Sequence, residues 1–280
     1  MAHLFGVFTH AATAIGPLLE LTADHSRVSA VDNRWGYGLG FTHGGETLLQ
    51  RRPQVKDQAI DLARVASEVR TTAFVAHVRQ AAVGAVDADN TQPFRFGPWL
   101  FGQVGQLPGG AAALEPLRAQ LPDSLARNIA GETEAELFFH LFLARLYDTG
   151  ANPRHWAVDP LAVARALGHT LTAWRVVARQ VGDNDAPDVA AVLTHGQALF
   201  AVSYGRPLWY AALRSTPKDH VDIGLVVEGE TGEARLGVPG AVVLVDGDEA
   251  PRGGRFRALP SGTLLRVDRD LRFGWSPAEV

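Results

Sequence analysis

The chain begins with Met-Ala-His-Leu-Phe-Gly-Val-Phe at residues 1–8, and this stretch constrains the fold more than any other. Four apolar side chains lie within residues 4–8, interrupted only by Gly6, which predicts a buried strand. Because this strand begins so close to the start of the sequence, we expect the N-terminus to be tucked into the core.

The rest of the chain alternates between strand patterns and helix patterns. Residues 32–41 and 46–51 predict a hairpin that turns at Gly44-Gly45. Apolar residues at helical spacing predict a short helix over 14–21 and helices over 57–69, 132–147 and 160–180. Further strands are predicted over residues 73–78, 99–104, 189–193, 198–203, 208–212, 223–227, 241–245 and 263–267.

These elements favour an α+β fold, a four-layer αββα sandwich in which two sheets pack face to face with helices outside. At 280 residues, one large domain or two intimate halves both fit. We expect a single domain over residues 1–280, with a strand-rich C-terminal half from about residue 188.

Composition excludes several classes of function. The net charge is -4 without a long basic run, so we expect no binding to nucleic acid or to an anionic membrane. No apolar stretch approaches the roughly 18–20 residues of a membrane helix, and the start lacks a basic signal-peptide region, which indicates a cytoplasmic protein. The absence of cysteine excludes disulfides, cysteine-ligated metals and a thiol nucleophile. Only Lys56 and Lys218 are lysines, as is typical of GC-rich bacterial coding.

Six short motifs occur in a characteristic order. They are the N-terminal octapeptide, Asp-Asn-Arg-Trp-Gly-Tyr-Gly at 32–38, Ala-His-Val-Arg-Gln-Ala at 76–81, Asn-Thr-Gln-Pro-Phe at 90–94, Gly-Gln-Leu at 105–107 and Gly-Glu-Thr-Glu at 131–134. In this order they resemble class II glutamine amidotransferases, especially the branch of YafJ-type proteins and ergothioneine-pathway γ-glutamyl hydrolases. The resemblance covers nearly the whole chain and implies an N-terminal-nucleophile (Ntn) hydrolase fold.

The resemblance also implies a reaction centre that this sequence lacks. Active family members carry cysteine after the initiator methionine, with its own α-amino group as general base. Here that position is Ala2, which cannot attack an amide. The family's His-Asn-Gly oxyanion segment corresponds to Gln103-Val104-Gly105, so the side-chain donor is lost at Val104.

The ligand-binding positions are partly retained. Arg79 matches the family's arginine for the substrate α-carboxylate, and Glu134 replaces the aspartate that holds the α-amino group. Gln92 stands where the family has histidine, and Trp35 is either core or pocket wall. Arg79 has an alternative role as a structural partner of Glu134 or another acid.

The remaining motifs do not indicate a nucleotide site or a metal site. Gly36, Gly38 and Gly40 lack the βαβ context of a dinucleotide fingerprint. His3, His77 and His140 are expected to make internal hydrogen bonds rather than to ligate a metal, and no metal or cofactor is expected.

We therefore expect a catalytically degenerate amidotransferase-like protein, a pseudoenzyme that binds a small carboxylate or glutamine-like ligand through Arg79, Gly105, Glu134, Trp35 and Gln103. Alternatively it binds a protein partner or another copy of itself. The competing hypothesis is an active amidohydrolase or amidotransferase on glutamine or a γ-glutamyl compound, or an engineered nucleophile mutant of one. Because Gln92, Val104 and Glu134 also depart from the family pattern, natural divergence is favoured over engineering.

Overall fold

The computed structural model describes residues 2–29, 35–55, 59–80, 87–215, 221–222, 233–235, 240–253 and 255–278. Several sequence predictions lie partly or wholly outside these residues. They are Met1 of the octapeptide, residues 32–34 of the second motif and of the predicted hairpin, the first residues of the 57–69 helix, residue 81 and the strand at 223–227.

The strands and helices follow one another along the chain with mostly short connections. The strands are β1 Ala2–Ala14, β2 Arg27–Val28, β3 Trp35–His43, β4 Glu46–Val55, β5 Ile60–Asp61, β6 Arg70–Gln80, β7 Phe94–Phe96, β8 Trp99–Gln106, β9 Asp188–Thr194, β10 Ala198–Tyr204, β11 Leu208–Ser215, β12 Val221–Asp222, β13 Glu233–Arg235, β14 Gly240–Asp246, β15 Arg257–Leu259, β16 Thr263–Asp268 and β17 Arg272–Pro277. The helices are α1 Gly16–Leu19, α2 Ala23–Ser26, α3 Leu62–Val65, α4 Gly110–Arg118, α5 Asp123–Ala126, α6 Glu134–Asp148 and α7 Pro160–Gln180.

The described strands form two large antiparallel sheets and one small ladder. The first sheet has the order β12-β11-β14-β1-β6-β3-β4, with β15 beside β11. The second has the order β13-β17-β16-β10-β9-β8-β7, and β2 pairs with β5. The N-terminal strand β1 therefore lies inside the first sheet, between β14 and β6, which confirms the expectation from residues 1–8.

The two sheets pack face to face over a set of apolar residues that we call the inter-sheet core. Its members include Leu4, Phe8, Val75, Leu100, Val104, Ala190, Val192, Leu199, Leu208, Val242, Leu244 and Leu265. The sheets approach closely at glycines, because a Cβ on Gly38 would lie 2.1 Å from the Gln92 carbonyl oxygen and one on Gly40 2.6 Å from Leu100 Cδ2. The alternating glycines of β3 thus serve sheet packing.

A helical layer covers the second sheet, as the spacing of apolar residues predicted. Phe142 of α6 meets Trp99 of β8 at a ring distance of 5.3 Å, and Phe138 meets Trp174 of α7 at 5.9 Å. Thr133 caps α6 by accepting the N–H of Glu136, and α7 starts with Pro160 after Asp159, whose carboxylate accepts the N–H of Leu161. The predicted α+β sandwich with helices outside is confirmed.

Sequence reasoning erred at the shorter helices. Helix α4 was missed because Gly109-Gly110 and Pro116 are typical of loops. The helix predicted over 57–69 is only one turn in its described part, since residues 60–61 pair as β5 and Asp61 then caps α3. The predicted helix at 14–21 begins later, because β1 continues to Ala14.

The other face of the first sheet is covered by the short helices α1 and α3. Phe5, Val7, Leu39, Phe74 and Val78 pack there with these helices in an outer core. Within the described residues, no helix has the length and apolar character needed to cross a membrane.

Candidate functional site

The start of β1 places residue 2 at one end of the gap between the sheets. Residues of a strand alternate between its faces, and Leu4 and Phe8 belong to the inter-sheet core. Ala2 lies on the same face and packs against that core, while Phe5 and Val7 face the outer core. The methyl group of Ala2 is therefore directed between the sheets.

The second sheet contributes the end of β8 to the same region. Val104 is 3% exposed and belongs to the inter-sheet core, so its side chain is packed among hydrocarbon. Gly105 follows with φ +95°, and a Cβ there would lie 1.9 Å from the Asp188 carbonyl oxygen. Only glycine fits this close approach of β8 to β9.

Arg79 is the direct neighbour of Ala2 across the first sheet. The register of β1 and β6 pairs Ala2 with Arg79, and Ala73 and Val75 place the odd residues of β6 on the inter-sheet face. Partial burial lowers the pKa of Arg79, and the nearby charge of Asp87 raises it. The guanidinium therefore stands at the inter-sheet end beside residue 2, with the charge of Asp87 nearby.

Hydrogen bonds of Asn90 connect Asp87, whose charge lies near Arg79, to the segment that leads into Glu134. Asn90 donates its amide N–H to Asp87 at 2.9 Å and accepts the N–H of Glu132 at 2.8 Å. Two residues later Glu134 begins α6 and accepts the N–H of Leu107, which follows β8, at 3.4 Å. Burial raises the pKa of the Glu134 carboxyl.

The segments at 90–94 and 131–136 are held together by backbone contacts that sequence alone does not reveal. The carboxylate of buried Glu136 accepts the N–H groups of Ala130 and Gly131 at 3.1 and 2.7 Å. A Cβ on Gly131 would lie 2.5 Å from Asn90 Oδ1, so glycine is required for this approach. The glycine of the 131–134 motif is thus explained by packing.

The remaining predicted site residues divide between two environments. Gln92 accepts the backbone N–H of Gln103 at 2.6 Å, and Gln103 Oε1 is buried without a hydrogen-bond partner among the described residues. Trp35 is 8% exposed and packs in the outer core, on the face of the first sheet opposite to Ala2 and Arg79. The structure therefore brings Ala2, Arg79, Val104 and Gly105 to the same end of the sandwich and leaves Trp35 apart.

Sequence reasoning missed an ionic cluster on the other side of residue 2. Asp246 is fully buried at the end of β14, accepts the N–H of Leu4 through Oδ1 and lies 3.4 Å from Arg206 Nη2 through Oδ2. Burial raises the pKa of Asp246 to about 6. Arg206 Nη1 is also 3.8 Å from Asp188 Oδ2. No local pattern signals this cluster, because Asp188, Arg206 and Asp246 are far apart in the sequence.

His3 and His77, which lie near this end of the fold, are predominantly neutral at pH 7. Burial lowers the pKa of His77 to about 3, and burial with the charges of His25 and Arg206 lowers that of His3 to about 4. His140 bonds to the Glu136 carbonyl oxygen at 2.9 Å, as expected. Nδ1 of His3 and of His77 has no hydrogen-bond partner within the described part of the chain, so the expected internal bonds are not seen at those atoms.

The geometry at residue 2 limits the chemistry of this end of the fold. Ala2 carries a methyl group, and Val104 on β8 carries an isopropyl group, and both pack at the inter-sheet core. A charged guanidinium lies on each side of β1, Arg79 next to Ala2 and Arg206 at Asp246. The described residues contain no group of three or more histidine and acidic side chains placed to hold a metal ion.

Two sheets packed face to face between helical layers, with residue 2 on an internal strand facing the gap, are typical of the Ntn-hydrolase type of fold. The family model for class II glutamine amidotransferases matches residues 1–227. The chain belongs to this family.

Several solved structures have a fold similar to that of this chain. A glutamine aminotransferase class-II domain protein from Silicibacter pomeroyi is 17% identical, with a TM-score of 0.61 and 98% of each chain covered. A predicted glutamine amidotransferase from Pseudomonas aeruginosa is 17% identical, with a TM-score of 0.55 and coverage of 96% of this chain and 98% of that one.

A more distant likeness extends to a larger enzyme. Glutamine phosphoribosylpyrophosphate amidotransferase from B. subtilis is 14% identical with a TM-score of 0.54, and the match covers 99% of this chain but 49% of that one. Among curated protein sequences, no match is found.

Proposed function

We propose that this protein is a non-catalytic member of its family, which has lost glutaminase activity and binds a small carboxylate or glutamine-like ligand. The observation that carries the proposal is the apolar character of the reaction centre. Ala2 and Val104 both pack against the inter-sheet core, so neither a nucleophile nor a side-chain oxyanion donor is present at these two positions. Restoring either group requires a polar atom where hydrocarbon now packs.

The retained arginine supports binding rather than catalysis. Arg79 lies beside Ala2 and keeps the fork geometry that suits a carboxylate. A guanidinium that is partly buried at the end of a gap favours an anionic ligand, because each charge-assisted hydrogen bond offsets part of its desolvation. Glu134, which is linked to the Arg79 side through Asn90, supplies a carboxyl for a ligand amino group.

Calorimetry tests the proposal. L-glutamine, L-glutamate and a γ-glutamyl dipeptide are titrated into the wild type, into Arg79→Ala and into Arg165→Ala, an exposed arginine of α7 that serves as the control. Loss of a charge-assisted contact weakens binding about tenfold to a hundredfold in Arg79→Ala. Arg165→Ala should bind as the wild type does.

A parallel incubation measures glutamate release from glutamine over hours and should show no release above the protein-free control. Sustained release by the wild type would refute the loss of activity. Absence of binding at millimolar ligand, or equal binding by wild type and Arg79→Ala, would overturn the ligand proposal and direct the search to protein partners or self-association.

A further inference from the structure

Arg206 reaches across the sandwich at the end where residue 2 lies. It sits between β10 and β11, and its Cδ would be 3.0 Å from a Cβ placed on Gly105 of the second sheet. Its guanidinium reaches Asp246 of the first sheet, where Val242 and Leu244 show that the even residues of β14 face the inter-sheet core. The positive charge of Arg206 is thus placed between Gly105 and the start of β1.

The strand order sets Arg206 and Arg79 on opposite sides of residue 2. Asp246 is the last residue of β14 on one side of β1, and Arg79 is the last but one residue of β6 on the other side. Strands β14 and β6 are two strand spacings apart, about 10 Å. The strand alternation places Arg79, Asp246 and Ala2 on the same face of the first sheet, and Ala2 has the smallest of these three side chains.

Arg206 retains unused donor capacity. A guanidinium has five N–H donors, and the described residues provide one hydrogen bond, to Asp246 Oδ2 at 3.4 Å. Asp188 Oδ2 at 3.8 Å is beyond hydrogen-bond distance and belongs to a side chain that is 56% exposed, so solvent weakens that attraction. Arg206 Nε is buried without a hydrogen-bond partner within the described part of the chain.

We infer that Arg206 is a second anion-binding residue of this site, and that the preferred ligand is a dicarboxylate, with one carboxylate at Arg79 and the other at Arg206. The inference rests on the proposed function and names its ligand class. A glutamate-like molecule, with an anion at both ends, offers one carboxylate to each of the two guanidinium groups. Glutamine offers Arg206 only a neutral amide oxygen, which makes a weaker hydrogen bond.

The test compares L-glutamate with L-glutamine by calorimetry at pH 7.5. We expect the wild type to bind glutamate at least about tenfold more tightly, the lower range of a charge-assisted contact. Arg206→Gln should remove this preference and leave glutamine affinity within about twofold. Arg79→Ala should weaken both ligands, and Arg165→Ala should change neither.

A second variant is needed as a control in case Arg206→Gln does not fold. Arg206→Gln leaves buried Asp246 without its cationic partner, whereas Arg206→Ala/Asp246→Asn removes the buried charge and keeps an oxygen for the Leu4 N–H. Circular dichroism shows which of the two variants is folded, and that variant is used for the calorimetry. Equal wild-type affinity for the two ligands, or a preference for glutamate that persists in the folded Arg206 variant, overturns the inference while leaving the proposed function intact. If neither ligand binds the wild type, the proposed function fails, and the inference fails with it.

Discussion

At the scale of single residues, the proposed loss of activity concerns one side chain at the start of β1. Ala2 occupies the expected end of β1 and disturbs no strand pairing. The proposed loss of activity is therefore attributed to the chemistry of the side chain, because the backbone pairing at residue 2 is regular.

Ala2→Cys alone should not restore glutaminase activity, because Val104 still offers no hydrogen bond to the tetrahedral oxyanion. Ala2→Cys/Val104→Asn should be faster by about 10² or more, the usual effect of one such donor. Glutamate release is measured on both variants, with circular dichroism to confirm folding. Robust activity in Ala2→Cys that matches the double variant would contradict the account.

Gly105 provides a steric test. Gly105→Ala should cost about 1–3 kcal/mol more than Gly150→Ala, because its Cβ would overlap the Asp188 carbonyl. Gly150 is the matched control, with φ +85° and nothing within 4 Å of its Cβ position, so it reports only the left-handed backbone. Urea unfolding measures the free energy of unfolding of both variants. Equal losses of stability would show that β8 and β9 lie farther apart than the structure places them.

At the scale of elements, the two long helices were predictable and the site was only partly so. The apolar period of α6 and α7 identifies them locally, and α7 has the predicted bounds. The Arg206–Asp246 contact joins residues 40 apart whose meeting depends on strand order. A sequence pattern reports what repeats locally, whereas this contact requires the tertiary fold.

The α6 helix is buried on more faces than one apolar stripe suggests, because β8, α4, α5 and α7 all contact it. Phe142→Ala should therefore cost about 3–5 kcal/mol as a deletion in a closely packed core. Leu161→Ala on α7, where Leu161 is 60% exposed, should cost less than about 1 kcal/mol. Chemical denaturation compares the two, and a loss below about 1 kcal/mol for Phe142→Ala would mean that α6 is misplaced.

At the scale of the whole molecule, buried histidines should make the fold sensitive to acid. Burial lowers the pKa of His77 to about 3 and of His195 to about 4, and that of His3 is also about 4. The ordinary histidine pKa is 6.5, so the unfolded chain binds more protons as the pH falls below that value. The stability that these residues contribute is present above pH 6.5 and is lost as the pH falls toward 4.

The titration of Asp246 partly offsets this loss of stability in acid. Its folded pKa of about 6 is above the ordinary 3.8, so the folded state binds its proton first as the pH falls from 6 to 3.8. For His3, His77, His195 and Asp246 together, the unfolded chain binds about two protons more than the folded state near pH 5. The free energy of unfolding therefore falls by about 3 kcal/mol per pH unit as the pH is lowered.

Urea unfolding between pH 7 and 4.5 measures this slope. His195→Gln should reduce it by about 1 kcal/mol per pH unit, and the exposed His43→Gln is the comparison. The same slope in His195→Gln and wild type would contradict a buried neutral His195.

The interior position of β1 also has a consequence for biosynthesis. On the ribosome, β6 emerges soon after β1 and can pair with it, but β14, its other neighbour, follows more than 220 residues later. At typical rates of chain elongation that interval is about 10–50 s, and during this time one edge of the apolar strand β1 remains unpaired. The sheet is completed only by residues beyond the matched segment 1–227, so a fragment cut at that boundary would expose the same edge permanently.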